Sequence, residues 1–283
     1  VTRLVEIPNE YKGYKTILYN DKQLSDFYSD LGKNTYDLCE NQYIVILGED
    51  GKPVDRYKWQ DGRHKPIFKK PIESSAVGKV KPKNTEQAFA IDMLMDETTT
   101  VKIMSGSFGS GKTFLSCACS FNMLQNGRFD KLMWIRNNIE VKDSNPIGFL
   151  KGTFNDKMSV WAMPLADHIG GKFMLDQYMQ SGKVEVEHLG FLRGRDIKNS
   201  IIFCSEAEHL TREHVQLLLG RVGEGSILIL EGDVRQIDAK AFERDNGLVA
   251  AIEKLRGNRL CAYMHLDESV RSETAKLADL LNI

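Results

Sequence analysis

The sequence predicts an α/β fold: a mostly parallel sheet with helices on both faces, preceded by a small β-rich module. Three observations carry that expectation. From Glu86 onward, short apolar runs alternate with stretches of helical periodicity, the pattern of strands joined by helical crossovers. Between one such run and the helix after it, Gly106-Ser107-Phe108-Gly109-Ser110-Gly111-Lys112-Thr113 completes G-x-x-x-x-G-K-[ST]. Ahead of residue 69, by contrast, the chain reads as short strands broken by turn residues.

Residues 1–68 make up the β-rich module. Ile17-Leu18-Tyr19, Tyr43-Ile44-Val45-Ile46-Leu47 and the stretch carrying Val54, Tyr57 and Trp59 read as strands, and Gly48-Glu49-Asp50-Gly51 as a hairpin turn. Leu24, Phe27, Tyr28 and Leu31 recur at helical spacing. The aromatics Tyr43, Tyr57 and Trp59 read as core rather than as platforms for stacked bases. Residues 69–83, with Lys69-Lys70-Pro71, Gly78-Lys79 and Lys81-Pro82-Lys83, read as a basic linker suited to a phosphate backbone. In residues 84–283, strands are expected at 101–104, 132–135, 201–204, 227–230 and 260–264. Helices are expected at 86–95, 112–124, 173–180, 212–219, 247–255 and 272–281.

Bulk composition narrows the function classes. With 283 residues, 42% hydrophobic content and a net charge of −1, the chain reads as an ordinary globular protein without the global positive charge of a nucleic-acid binder. Nucleic-acid contact would have to come from local basic segments. The cysteines at 39, 117, 119, 204 and 261 are scattered in apolar runs and read as reduced core residues of a cytoplasmic protein. No apolar run approaches the ~20 residues of a membrane span, and no signal peptide opens the chain. The start at Val1 fits a trimmed or processed protein, with an upstream domain either left out or absent in nature.

The glycine-rich segment carries the chemistry. Its glycines let main-chain N–H groups wrap a polyphosphate at the positive end of a helix, so Gly106 through Thr113 form the nucleotide cradle. Lys112 reaches the β- and γ-phosphates and the Thr113 hydroxyl ligates Mg²⁺. Such a site needs an acidic element at a neighbouring strand end. Ile201-Ile202-Phe203-Cys204-Ser205-Glu206 supplies one, with Glu206 placed to polarise water and Ser205 to hold Mg²⁺ through water. A third strand delivers Glu231-Gly232-Asp233-Val234-Arg235-Gln236, where Gln236 senses the γ-phosphate and Asp233 either shares in the metal or caps a turn. Gln87, about twenty residues ahead of the loop, offers the donor and acceptor that adenine's edge requires. Arg221, Arg271 and the pair Arg193/Arg195 are candidates to neutralise the departing γ-phosphate, across a subunit boundary in one arrangement. Arg136 reads as a nucleic-acid or sensor contact.

Taken in order, residues 84–90, 106–113 and 134–136, Ile147-Gly148-Phe149-Leu150-Lys151-Gly152, Phe191-Leu192-Arg193-Gly194-Arg195, Ser205-Glu206-Ala207-Glu208, Gly220-Arg221-Val222-Gly223, residues 232–238 and Arg271-Ser272-Glu273 resemble the PhoH family of ATPases over about residues 80–283. The resemblance implies a RecA-like phosphate-loop core related to helicases, ATP and Mg²⁺ as ligands, and ring-shaped hexamers. It also implies action on single-stranded RNA, in some members coupled to an amino-terminal PIN nuclease. It supports Lys112 and Thr113 on phosphate and Mg²⁺, Glu206 as water activator, Gln236 as sensor, Gln87 on adenine, and Arg221 or Arg271 as the completing arginine. The chain departs from the family where Ser205 and Glu208 stand in place of Asp and Gln, and His209 in place of Asn. A second reading follows from Ser205: a nucleotide-dependent assembly module with weak or lost turnover. A small-molecule phosphoryl transferase is a third, disfavoured because no acceptor pocket is legible.

Overall fold

The structure is a computed structural model that describes residues 11–68, 70–107, 109–136, 161–235 and 245–267. Strands β1 (Tyr14–Leu18), β2 (Tyr43–Leu47), β3 (Pro53–Gln60) and β4 (Arg63–Pro66) form an amino-terminal sheet in the order β1-β2-β3-β4. Helix α1 (Asp21–Ser29) follows β1 and starts at Asn20, which makes a reciprocal capping box with Gln23. A hairpin of β5 (Ile72–Ser74) and β6 (Gly78–Val80) comes next, then α2 (Thr85–Met95). The main unit continues with β7 (Val101–Gly106), α3 (Lys112–Gln125), β8 (Lys131–Arg136), α4 (Met163–His168), α5 (Lys172–Gln180), β9 (Val184–His188) and β10 (Ser200–Ser205). It ends, within the described residues, with α6 (Arg212–Leu219), β11 (Ile227–Gly232), α7 (Gly247–Leu255) and β12 (Cys261–Leu266).

All six strands of the large sheet are parallel, in the order β12-β7-β11-β10-β8-β9. Alternate residues of the strands other than the edge strand β9 feed opposite hydrophobic layers, which is why those strands read as continuous apolar runs. Met104, Trp134, Ile201, Phe203, Ile227 and Ile229 pack with Phe89 of α2 and Leu115 and Ala118 of α3. Ile103, Ile135, Ile202, Cys204, Leu228 and Leu230 pack with Val215 and Leu218 of α6 and Leu248 and Ile252 of α7. The parallel α/β architecture expected from the sequence is present, with β11 inserted between the loop strand β7 and the acidic strand β10.

Several elements differ from expectation. The edge strand β9 and the short helix α4 were not anticipated, because Val184 and Val186 alone carry the apolar alternation and α4 spans six residues. Strand β12 lies at Cys261–Leu266, shifted from the expected 260–264. Within the stretch read as a basic linker, the chain forms the β5–β6 hairpin. Ile72 and Val80 are buried in the main core, and Ser75 N–H and Glu73 C=O bond to Gln125 and Asn122 of α3. The lysines of that stretch masked a hydrophobic anchor. The expected helix at 272–281 lies outside the described residues. Tyr43, Tyr57 and Trp59 are buried, as core residues. Tyr43 and Val45 join the layer of α2, whereas Tyr57, Trp59, Phe27 and Ile46 form a small core of the module's own.

Candidate nucleotide site

The phosphate loop leaves β7 at its carboxyl end and enters α3. Gly106 has φ of +150°, and a Cβ there would lie 2.2 Å from the Leu266 carbonyl oxygen of β12, so only glycine permits this approach. Gly111, at φ of +94°, caps α3 in the left-handed region. Lys112 is buried and its Nζ donates to the carbonyls of Gly106 (2.8 Å) and Ser107 (2.9 Å), which curls the ammonium back over the loop. Ser110 Oγ donates to Ser107 C=O at 2.9 Å. Gly109 turns the loop at φ of +73°, and Phe108 lies outside the described residues. Gln87, expected on adenine, is buried and ties the loop to the chain ahead of α2: Nε2 donates to Ser110 C=O (3.1 Å) and Oε1 accepts from Lys83 N–H (2.9 Å). In this arrangement it braces the cradle.

The acidic groups gather at the carboxyl ends of β10 and β11. Thr113 Oγ1 donates to Glu231 Oε1 at 2.7 Å. Glu231 is 5% exposed, and its second oxygen has no hydrogen-bond partner among the described residues. Burial raises its pKa, against the pull of Lys112 and the Thr113 bond. Ser205 ends β10, also buried. Glu206 follows at φ of +54°, a left-handed conformation that costs a non-glycine residue about 1 kcal/mol or more and re-aims the chain. Its carboxylate is paired with Arg136 of β8, Oε2 accepting from Nε at 3.0 Å and Oε1 from Nη2. Glu208 is buried beside Gly232, where a Cβ would meet Glu208 Oε2 at 2.3 Å. Burial pushes the Glu208 pKa up to about 8. Asp233 caps a turn, its Oδ1 accepting from Arg235 N–H at 3.0 Å, and its own N–H donates to Glu208.

Other candidates fall elsewhere. Arg221 follows α6 at the amino-terminal edge of the sheet, where Ile197 and Val222 form a parallel bridge. Its Nη1 donates to Arg195 C=O at 3.1 Å. The phosphate loop lies at the opposite edge, and the six residues of β10 alone separate the edges by roughly 20 Å, beyond an arginine's reach. Arg195 is paired with Glu187 at 2.7 Å, and Arg193 is exposed. Gln236, Arg271 and residues 147–152 lie outside the described residues. Ser105, His265 and Asp267 are linked in series at 2.6 and 2.8 Å, but Ser105 is fully buried in β7 and is closed to substrate. Among the described residues no three His, Cys, Asp or Glu side chains are grouped to hold a metal, and no helix is long and apolar enough to cross a membrane. Sequence reasoning missed Glu231, although a charged residue ending the apolar run Ile227-Leu228-Ile229-Leu230 was a readable signal.

A family model described as PhoH-like protein matches residues 79–280. The chain belongs to the PhoH family. Protein PhoH2 of Bacillus subtilis is 30% identical over 99% of this chain and 66% of that protein. Protein PhoH2 of Mycolicibacterium smegmatis is 31% identical over 69% of this chain and 45% of that protein. This PhoH-family chain thus spans about half to two thirds of the length of these relatives. A solved Pif1 helicase from Candida albicans aligns over 72% of this chain and 44% of its own at 13% identity and a TM-score of 0.38, too distant to bear on function. The PhoH match, the glycine cradle and the parallel sheet order together make this a phosphate-loop NTPase of RecA-like architecture.

Proposed function

We propose that this PhoH-family chain binds and hydrolyses ATP and is the motor part of a protein that acts on single-stranded RNA. The observation that carries the reading is the convergence of Lys112, Thr113 and the acids of β10 and β11 at one sheet edge. Lys112 exchanges its loop carbonyls for the β- and γ-phosphates. Thr113, with a carboxylate already on its hydroxyl, suits a hard divalent cation such as Mg²⁺. That ion, when bound, neutralises charge developing on the phosphates. Glu206, freed from Arg136, takes the proton of the attacking water, and Gln236 orients that water. Arg221 stands too far from its own loop, so its charge serves the neighbouring copy in a ring of chains. A hexamer and a PIN nuclease partner are expectations from the family resemblance.

The test is ATP hydrolysis by the full chain with and without single-stranded RNA. Glu206→Gln is expected to lower the rate by about 10²- to 10⁴-fold. RNA is expected to raise the native rate and to bind in a salt-sensitive manner. An unchanged rate for Glu206→Gln removes the hydrolytic assignment, and absence of both RNA effects removes the RNA half. ATP-dependent assembly without phosphate release would instead establish the assembly-module reading.

A further inference from the structure

Strand register places two residues side by side at the heart of the site. Parallel pairing aligns Cys204 of β10 with Leu230 of β11, so the next residues, Ser205 and Glu231, stand at the same level. They also share a face. Ile201, Phe203, Ile227 and Ile229 pack in the layer containing α3, and with a side-chain period of two, Ser205 and Glu231 continue those two rows. Adjacent strands lie about 4.8 Å apart. A carboxylate at 231 therefore stands one strand nearer to the phosphate-loop strand than one at 205 would, since β11 pairs directly with β7.

We infer that Glu231, rather than any group at position 205, is the carboxylate that acts with Thr113 on the nucleotide-associated divalent cation. The inference rests on the ATP-binding reading above and assigns its metal partner. Two observations carry it. Glu231 Oε1 accepts from the very hydroxyl that a phosphate loop offers to a metal. Its other oxygen is buried and has no hydrogen-bond partner among the described residues. An ionised carboxylate has room for about four hydrogen bonds, and burying one half-satisfied is costly. A purely structural acceptor for Thr113 would need no charge at all: a glutamine has the same length and one acceptor oxygen. The sequence tells the same story, for the neutral Ser205 and the charged Glu231 are neighbours across one strand spacing. The acid has moved laterally by one strand, the longer glutamate spanning to the Thr113 hydroxyl.

The experiment measures affinity for a non-hydrolysable ATP analogue by calorimetry, in Mg²⁺ and in EDTA, for the full native chain, Glu231→Gln, Glu231→Asp, and Glu231→Gln combined with Ser205→Asp. Mn²⁺ binding to each analogue complex, followed by electron paramagnetic resonance, reads the metal directly. Glu231→Gln is expected to reduce the Mg²⁺-to-EDTA affinity ratio and Mn²⁺ affinity by about 10- to 100-fold. Glu231→Asp, which keeps charge but loses length, should retain more of both. Adding Ser205→Asp to Glu231→Gln should restore most of the loss, by returning a carboxylate to the adjacent row. Unchanged metal dependence in Glu231→Gln, or a larger loss in Glu231→Asp than in Glu231→Gln, overturns the inference while leaving nucleotide binding intact. Failure of the native chain to bind the analogue under either condition overturns the ATP-binding reading itself.

Discussion

Two buried charge clusters lie at different ends of this molecule, and they are built to different standards. Between the amino-terminal module and α2, Lys58 pairs with Asp96 at 2.7 Å and Asp92 at 3.2 Å, all three side chains less than a tenth exposed. Asp92 also accepts from Tyr43 Oη and Phe68 N–H, and Asp96 from Gln60 and Thr98. Nearby, the Lys102 ammonium has three acceptors, Met93 C=O, Asp96 C=O and Thr99 Oγ1. At the carboxyl edge of the parallel sheet, Glu231 has one buried oxygen without a hydrogen-bond partner among the described residues, while Glu208 accepts from Asp233 N–H and is kept neutral by burial. The first cluster is finished by the fold. The second leaves Glu231 half satisfied, and that asymmetry distinguishes a structural seam from the candidate nucleotide site better than burial does.

Lys58→Ala leaves Asp92 and Asp96 buried without their cation and is expected to cost about 3–5 kcal/mol by chemical denaturation. A loss below about 1 kcal/mol would mean that the seam is solvated. The sheet edge predicts the opposite sign. Glu208 holds its proton up to about pH 8 in the folded chain, whereas its ordinary value is 4.5, so the folded state binds more protons and stability falls as pH rises through that window. Glu208→Gln is neutral throughout, and its melting curve should gain on the native chain with increasing pH, on the order of 1–3 kcal/mol at pH 8. An advantage that does not grow with pH would deny the raised value. The smallest effect is at acid pH. Burial alone would raise Asp96, but Lys58 and Thr98 override it and hold the carboxyl down to about 2. Its contribution is present above the ordinary value of 3.8 and is lost as pH falls through 2, so Asp96→Asn should flatten the acid limb of the stability profile.

Much of this was legible in the residues. The cradle from Gly106 to Thr113 announces itself because its glycines answer a backbone requirement, and the inner strands of the large sheet because they are buried on both faces. The partners of Thr113 were not, since they depend on which strands are neighbours. The order β7-β11-β10 decides that Glu231 and not Asp233 meets the loop hydroxyl. The contact of Gln87 with the loop was hidden for the same reason: its donor and acceptor are consistent with a base edge or a backbone, and the approach of Ser110 depends on tertiary packing. The pair Arg136–Glu206 joins β8 to β10 across residues 70 apart in sequence. Glu208 stands where the family has glutamine, and a glutamic acid that keeps its proton is, like glutamine, neutral and able both to donate and to accept, with one donor hydrogen fewer.

Strand β12 has a consequence of its own. Its His265 N–H takes the Lys12 carbonyl, and its next residue, Leu266, gives its carbonyl to Ser107 N–H while pressing on Gly106. The entering chain and the phosphate cradle are thus hung from adjacent links of a single rod. Neither contact crosses the hydrophobic layers, so the first described residues and the glycine cradle share one support, and a change in the seating of β12 alters both at once.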